Sequence, residues 1–261
     1  MFIIGERINP AGKPELVRAI REEKKEFIQK EAQAQERAGA QALDINVYLP
    51  DLDRARAMKL AAETIRSVSQ LPLVMDDRDP AVVESGLKAA RENSWINSPV
   101  DLDGDHEKIL SLAKQFNAQL LTLPMKQNRI SWNPKEHIAI SKLLLERFEN
   151  FGISRQNIVI DAMVLALKQA KEKVMDTLET LKGLKEELGV RTLLALSNVS
   201  YGLKNREELN ARFLKLTREC GIDFVICDPL QKKVMAVAKA EPEVSGHLEN
   251  RKFLEFAETC R

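Results

Sequence analysis

Acid and amide side chains stand at the ends of short apolar runs along most of this chain. Leu43 leads to Asp44 and Asn46. Leu73-Val74-Met75 stops at Asp76, Trp95-Ile96 at Asn97, and Ile158-Val159-Ile160 at Asp161. Leu193-Leu194-Ala195-Leu196 runs into Ser197-Asn198, Phe224-Val225-Ile226-Cys227 stops at Asp228, and Asn9 follows the first apolar run. A carboxylate can accept two parallel N–H bonds, and a carboxamide offers a donor and an acceptor together. Gathered in one cavity, such a set suits a neutral, flat ligand rich in N–H donors. Any one of these residues alone could equally be a helix cap; the joint occurrence is what points to a site.

Other chemistries are poorly marked. There is no HxxxH or CxxC spacing for zinc, although Asp44, Asp76 and Asp228 could supply oxygen ligands to magnesium. No GxSxG is present, no cysteine stands beside a histidine, and there is no Gly-rich phosphate loop. His106 and His137 fall in predicted helices, and His247 lies near the C-terminus. Lys126 and Arg129 sit in a predicted loop, where they either meet an acidic part of a ligand or are plain surface charges. Asp77 and Arg78 read as a loop ion pair.

Each apolar run has the length and composition of a buried parallel strand, and each is followed by a helical pattern. Strands are expected at Phe2–Ile4, Ala42–Asn46, Leu73–Asp76, Ser94–Asn97, Ala118–Leu123, Asn157–Asp161, Thr192–Leu196 and Phe224–Cys227. A single helix is expected over Pro14–Ala38, closed by Gly39. Others begin after Pro50-Asp51, at Asp103 or Asp105, and after the caps Asp79-Pro80 and Asn133-Pro134. Lys171–Leu188 reads as a solvated outer helix, and Arg206–Cys220, Gln231–Ala240 and His247–Thr259 as the last helices. No linker or repeat divides the series. The economical topology is a single (β/α)8 TIM barrel over residues 1–261, whose strand C-termini would bring the acids and amides to one mouth.

The 40 basic and 39 acidic side chains nearly cancel, which argues against nucleic-acid or membrane binding driven by bulk charge. Cys220, Cys227 and Cys260 lack framework spacing and read as reduced thiols. The N-terminus enters a strand without a signal-peptide pattern, and a cytoplasmic protein is expected.

Several motifs together carry a family resemblance: IIGERIN (3–9), ALDINV (42–47), Asp76 followed by ESGLKAA (84–90), INS (96–98), Asp161, LSNVS (196–200), Asn205-Arg206 and CGID (220–223). Over essentially its whole length the chain resembles the pterin-binding methyltransferases that move a methyl group between 5-methyltetrahydrofolate and a corrinoid protein, notably the corrinoid/iron-sulfur protein methyltransferases. The resemblance implies a dihydropteroate-synthase-like barrel that takes 5-methyltetrahydrofolate or tetrahydrofolate as substrate and holds no metal of its own. The corrinoid (cobalamin) would be supplied by a partner, an iron-sulfur corrinoid protein or one of a demethylase system, and the enzyme would be a homodimer. Asp76, Asn97 and Asp161 would hold the pterin and Asn198 would lie near N5, with Asn9, Asp44 and Asn46 lining the same region. The chain departs from the pattern at Tyr48-Leu49-Pro50, Asp77-Arg78-Asp79 and Tyr201. Competing readings are a dihydropteroate-synthase-like pterin transferase, a metal-assisted barrel lyase and a non-catalytic pterin carrier. The first of these would need a strand-7 lysine and a serine-rich loop that are absent here.

Overall fold

The computed structural model of the chain describes residues 1–240 and 248–260. Its strands are β1 (Phe2–Ile8), β2 (Ala42–Ile45), β3 (Leu73–Asp76), β4 (Ser94–Asn97), β5 (Val100–Asp101), β6 (Leu120–Thr122), β7 (Pro124–Lys126), β8 (Arg129–Ile130), β9 (Ile158–Asp161), β10 (Arg191–Ala195) and β11 (Phe224–Cys227). Its helices are α1 (Pro14–Arg21), α2 (Lys25–Ala38), α3 (Arg54–Arg66), α4 (Pro80–Ala90), α5 (Glu107–Gln115), α6 (Pro134–Phe151), α7 (Asp176–Leu188), α8 (Arg206–Glu219), α9 (Lys232–Ala238) and α10 (Asn250–Glu258). Eight parallel strands close in the order β1-β11-β10-β9-β6-β4-β3-β2, the expected (β/α)8 TIM barrel. No described helix is long and apolar enough to cross a membrane.

Alternation along the strands splits the core in two. Ile4, Ala42, Val74, Trp95, Leu121, Val159, Leu193, Phe224 and Ile226 form a cluster inside the barrel. Their neighbours, such as Leu43, Met75, Ile96 and Val225, pack outward against the helices. At the N-terminal end, the rings of Phe2, Trp95 and Phe224 meet with centroids 5.2, 5.4 and 5.9 Å apart and stop the interior.

Asp79 and Asn133 cap α4 and α6 as expected, accepting from Ala81 N and Glu136 N, each with proline in the first turn. Elsewhere local chemistry overrides the sequence pattern. The single helix over Pro14–Ala38 is two: Glu23 adopts φ 52° between α1 and α2. An unbroken helix would carry Glu23 and Lys24 on the face that buries Leu16, Ala19, Ile20 and Ile28. The cap of α3 is Asp53, three residues beyond Pro50. His106 precedes α5 rather than lying in it, its Nε2 accepting from Asp101 N at 2.8 Å. The loop at Lys126 and Arg129 is a β7–β8 hairpin attached to β5. α7 lies on the outside, yet Leu178, Leu181 and Leu184 bury one of its faces. Position 247, the expected start of the last helix, lies outside the described residues.

Candidate active site

The interior apolar layer fixes what stands above it. Two residues beyond Ile4, Ala42, Val74, Trp95, Val159 and Ile226 come Glu6, Asp44, Asp76, Asn97, Asp161 and Asp228. By alternation all six take the inward side at the C-terminal mouth. Pairing keeps the middle of the set in register, with Asp76 opposite Asn97 on β4.

Three of these side chains, with Asn46, interlock in two pairs. Asn97 Nδ2 donates to Asp44 Oδ1 at 3.3 Å, and Asn46 Nδ2 donates to Asp76 Oδ2 at 2.9 Å. Asn46 Oδ1 accepts from Tyr48 N at 2.9 Å. Each amide gives one of its two N–H groups to a carboxyl group, and Asp44 Oδ2, Asp76 Oδ1 and Asn97 Oδ1 meet no partner among the described residues. Burial, then repulsion from Asp76, drives the Asp44 carboxyl far above its ordinary range, against the Asn97 bond. Asp76 is pushed up to about 6 by burial and by Asp77, opposed by Asn46. Burial and the charge of Asp76 push Asp161 up to about 7, with the Met163 amide pulling the other way.

Asp161 is the most firmly held of the set. Its Oδ1 accepts from Met163 N at 2.8 Å, and Met163 takes φ 56° to close that turn. Thr177 Oγ1 on α7 donates to Met163 O at 2.9 Å. The buried His137 on α6 sets Nε2 at 3.0 Å from the Asp161 carbonyl and Nδ1 at 3.4 Å from the Ser131 carbonyl. Asp161 Oδ2 meets no donor among the described residues. Two helices therefore fix a carboxyl group whose outer oxygen has no donor among the described residues.

The remaining residues lie apart from this network. Asn198 ends a 3-10 turn (Leu196–Asn198) after β10; it is exposed, and its side chain makes no hydrogen bond among the described residues. Asn9 closes a local turn by accepting from Ala11 N at 3.0 Å. Asp228 binds Arg7 Nη1 at 3.0 Å and does not join Asp44 and Asp76. No described group of three or more His, Cys, Asp or Glu is placed to hold a metal ion. Asp77 pairs with Arg54 at 2.7 Å, not with Arg78. Arg54 in turn covers the ring of Tyr48 at 5.2 Å. Tyr48, Tyr201 and Leu230, on the loops after β2, β10 and β11, are among the few exposed large apolar side chains.

Glu6 is the site residue that the expected strand ends hid. Ending the first strand at Ile4 left Glu6 in a loop, but β1 runs to Ile8, and Glu6 accepts from Ser197 Oγ at 2.6 Å. Burial raises its carboxyl, against that bond and Lys13. The signal was the spacing Phe2, Ile4, Glu6, read through Gly5. A Cβ at Gly5 would meet Gln35 Oε1 at 2.3 Å, and that oxygen accepts from Arg7 N at 2.9 Å.

A family model described as pterin binding enzyme matches residues 5–228. The chain is 24% identical to the methylcorrinoid:tetrahydrofolate methyltransferase of Eubacterium limosum, covering 95% of this chain and 92% of that protein. It is 28% identical to the methionine synthase of Mycobacterium tuberculosis over 87% of this chain, spanning 20% of the length of that larger protein. In fold it is similar to the dihydropteroate synthase of Clostridium difficile, with a TM-score of 0.72, 18% identity, and 93% and 96% of the two chains covered. That of Xanthomonas albilineans in complex with 7,8-dihydropteroate gives a TM-score of 0.71 at 18% identity, with 94% of each covered.

Proposed function

The chain belongs to the pterin-binding enzyme family, and on that basis we propose that it transfers a methyl group between N5 of 5-methyltetrahydrofolate and the cobalt of a corrinoid carried by a partner protein. The observation that carries this reading is the carboxyl-rich layer of Asp44, Asp76, Asn97 and Asp161, in which the Asn97 and Asn46 amides each give one N–H to a carboxyl group. A pterin presents the complementary edge. Its 2-amino group and N3–H donate side by side, a match for the fixed Asp161 carboxylate, while Asp76 and Asn97 accept further ring N–H groups. Asp44 and Asn46 act one contact further out, by orienting Asn97 and Asp76. The name of the Eubacterium limosum relative supports the folate and corrinoid pairing.

N5 is an amine and leaves poorly unless positive charge on it is met by a proton or a strong hydrogen bond. An amide cannot supply that proton at neutral pH. Asn198, whose side chain has no partner among the described residues, stabilises N5–H or orients the water that delivers the proton. The corrinoid supplies the Co(I) nucleophile, or the methylated cobalt in the reverse direction. The chain's own work is to fix the pterin in line with it and leave the mouth open. Tyr48, Tyr201 and Leu230 offer an apolar rim for the partner that brings it.

The test is to mix the protein with 5-methyltetrahydrofolate and cob(I)alamin and follow methylcobalamin by absorbance. Transfer is expected, and it is faster with a cognate corrinoid protein. A protein that binds the folate yet never demethylates it, or that instead condenses a pterin diphosphate with p-aminobenzoate, overturns the reading.

A further inference from the structure

Two cavities beside the mouth are lined by cations, and they differ in one respect. In the one of about 560 Å³ next to β1, Arg7 and Lys13 are committed, and the exposed Arg18 shares the lining with the carboxylates of Glu15 and Glu31. Arg7 binds Glu31 at 2.6 Å and Asp228 at 3.0 Å, and Lys13 Nζ donates to the carbonyls of Glu6 and Arg7. In the other, of about 480 Å³ against the β7–β8 hairpin, Lys126, Arg129 and Lys173 are exposed and have no ion pair or side-chain hydrogen bond among the described residues. The carboxylate in that lining, Glu136, accepts from Ser131 Oγ at 2.6 Å.

The hairpin makes the excess of positive charge costly. Lys126 and Arg129 stand directly opposite each other across the antiparallel β7–β8 pair. Like charges in that position destabilise a sheet unless an anion lies between them. The ribbon cannot easily swing them apart: Gln127 and Asn128 form its turn at φ 52° and 56°, and both amides donate to the buried Asp101 carboxylate. The hairpin follows β6 directly, at the mouth end of that barrel strand. Ser131, Trp132 and Lys173 line a second, narrower cleft that reaches Met163, the residue whose amide Asp161 accepts at 2.8 Å.

We propose that this groove binds the oligo-γ-glutamyl tail of the folate, an inference that rests on the folate reading of the mouth. Each added γ-glutamyl residue brings one more carboxylate on a flexible chain. That chemistry suits two uncommitted cations on a rigid ribbon and a third, Lys173, on the neighbouring 3-10 turn, beside a pterin site. Because the contacts are exposed, they strengthen binding by a modest factor that salt removes.

The experiment compares monoglutamyl and triglutamyl 5-methyltetrahydrofolate by equilibrium binding to the intact protein and to a Lys126→Gln, Arg129→Gln, Lys173→Gln triple variant. At low salt the triglutamate is expected to bind about 10-fold tighter than the monoglutamate. The advantage shrinks to about twofold or less at high salt and in the variant, whose monoglutamate affinity stays within about twofold. Monoglutamate binding without a triglutamate advantage, or an advantage that the variant retains, overturns the tail site and leaves the pterin reading standing. If the variant keeps the advantage but transfers methyl groups more slowly to a corrinoid protein and not to free cobalamin, the groove belongs to an acidic partner and the proposal is wrong. Failure of both forms to bind overturns the folate reading and this proposal with it.

Discussion

The two ends of one barrel obey opposite rules. At the N-terminal end, Phe2, Trp95 and Phe224 fill the interior with apolar surface, and nothing there asks for a partner. Two residues up the same strands, Ala42 gives way to Asp44, Val74 to Asp76, Trp95 to Asn97 and Val159 to Asp161. The strands and register are unchanged, and only the side chains differ. One end stabilises the fold by burying apolar area. The other gathers carboxyl groups that repel one another in a poorly solvated space, which lowers stability and holds acceptors ready for a ligand. Stability and binding are thus separated by about two residues of strand, and each end can be disturbed without the other.

Trp95→Ala is the strongest test of the lower end. It removes the ring that contacts both Phe2 and Phe224, and its cost is about 3–5 kcal/mol by chemical denaturation. Pterin affinity of the folded fraction stays within a few-fold. A large loss of affinity at full foldedness would show that the two ends are mechanically coupled.

Asp161→Ala is the counterpart at the upper end. Removing two charge-assisted acceptors lowers pterin affinity by about 300-fold or more, while the melting temperature shifts little because a buried charge is removed as well. Calorimetry and a thermal melt on one sample measure both quantities. Unchanged affinity removes Asp161 from the pterin site.

The lower end and the strand order were legible in the sequence because period-2 alternation and the strand-helix series leave few alternatives. So were Asp76, Asn97 and Asp161, which terminate clean apolar runs. The first strand was cut short because Gly5, Glu6 and Arg7 do not look like strand interior. Pairing with β2 across a register shift carries the strand on to Ile8, and the close approach of Gln35 accounts for the glycine. The ties that hold Asp161 were invisible for another reason. His137 and Thr177 come from two later or earlier helices, and no local pattern signals that a buried histidine faces a carbonyl 24 residues away. The β7–β8 hairpin escaped for a similar reason, since its ladder is only two residues deep on β8 and depends on Asp101 holding the turn.

Asn198 sits at the upper end but outside the acid network, so its removal should separate the two functions of the mouth. Asn198→Ala slows single-turnover methyl transfer by about 100-fold and weakens pterin binding far less, as expected of a donor that acts on N5 in the transition state. An equal loss in both would make it a binding residue only.

Protons sharpen the comparison further, because only the upper end holds groups that titrate near neutrality. Asp161 and Asp76 sit near 7 and 6 in the folded protein and near 4 when unfolded. Between those values the folded state binds more protons, so the stability these two groups contribute is fully present below about pH 4 and is lost as pH rises from there through 6 and 7. From pH 5.5 to 8, Asp161 contributes a loss of about 2 kcal/mol and Asp76 about 1 kcal/mol. Denaturation of Asp161→Asn across the same range should show the dependence reduced by the larger share, whereas Trp95→Ala should keep the full slope at lower stability. Pterin affinity runs the opposite way. The carboxylate must shed its proton to accept two N–H bonds, so binding tightens from pH 6 to 8 and releases a proton near pH 6.5, which calorimetry in buffers of different ionisation enthalpy detects. Stability and affinity that rose together with pH would mean that the mouth holds its acids ionised in the absence of ligand, and the opposition between the two ends of the barrel would be lost.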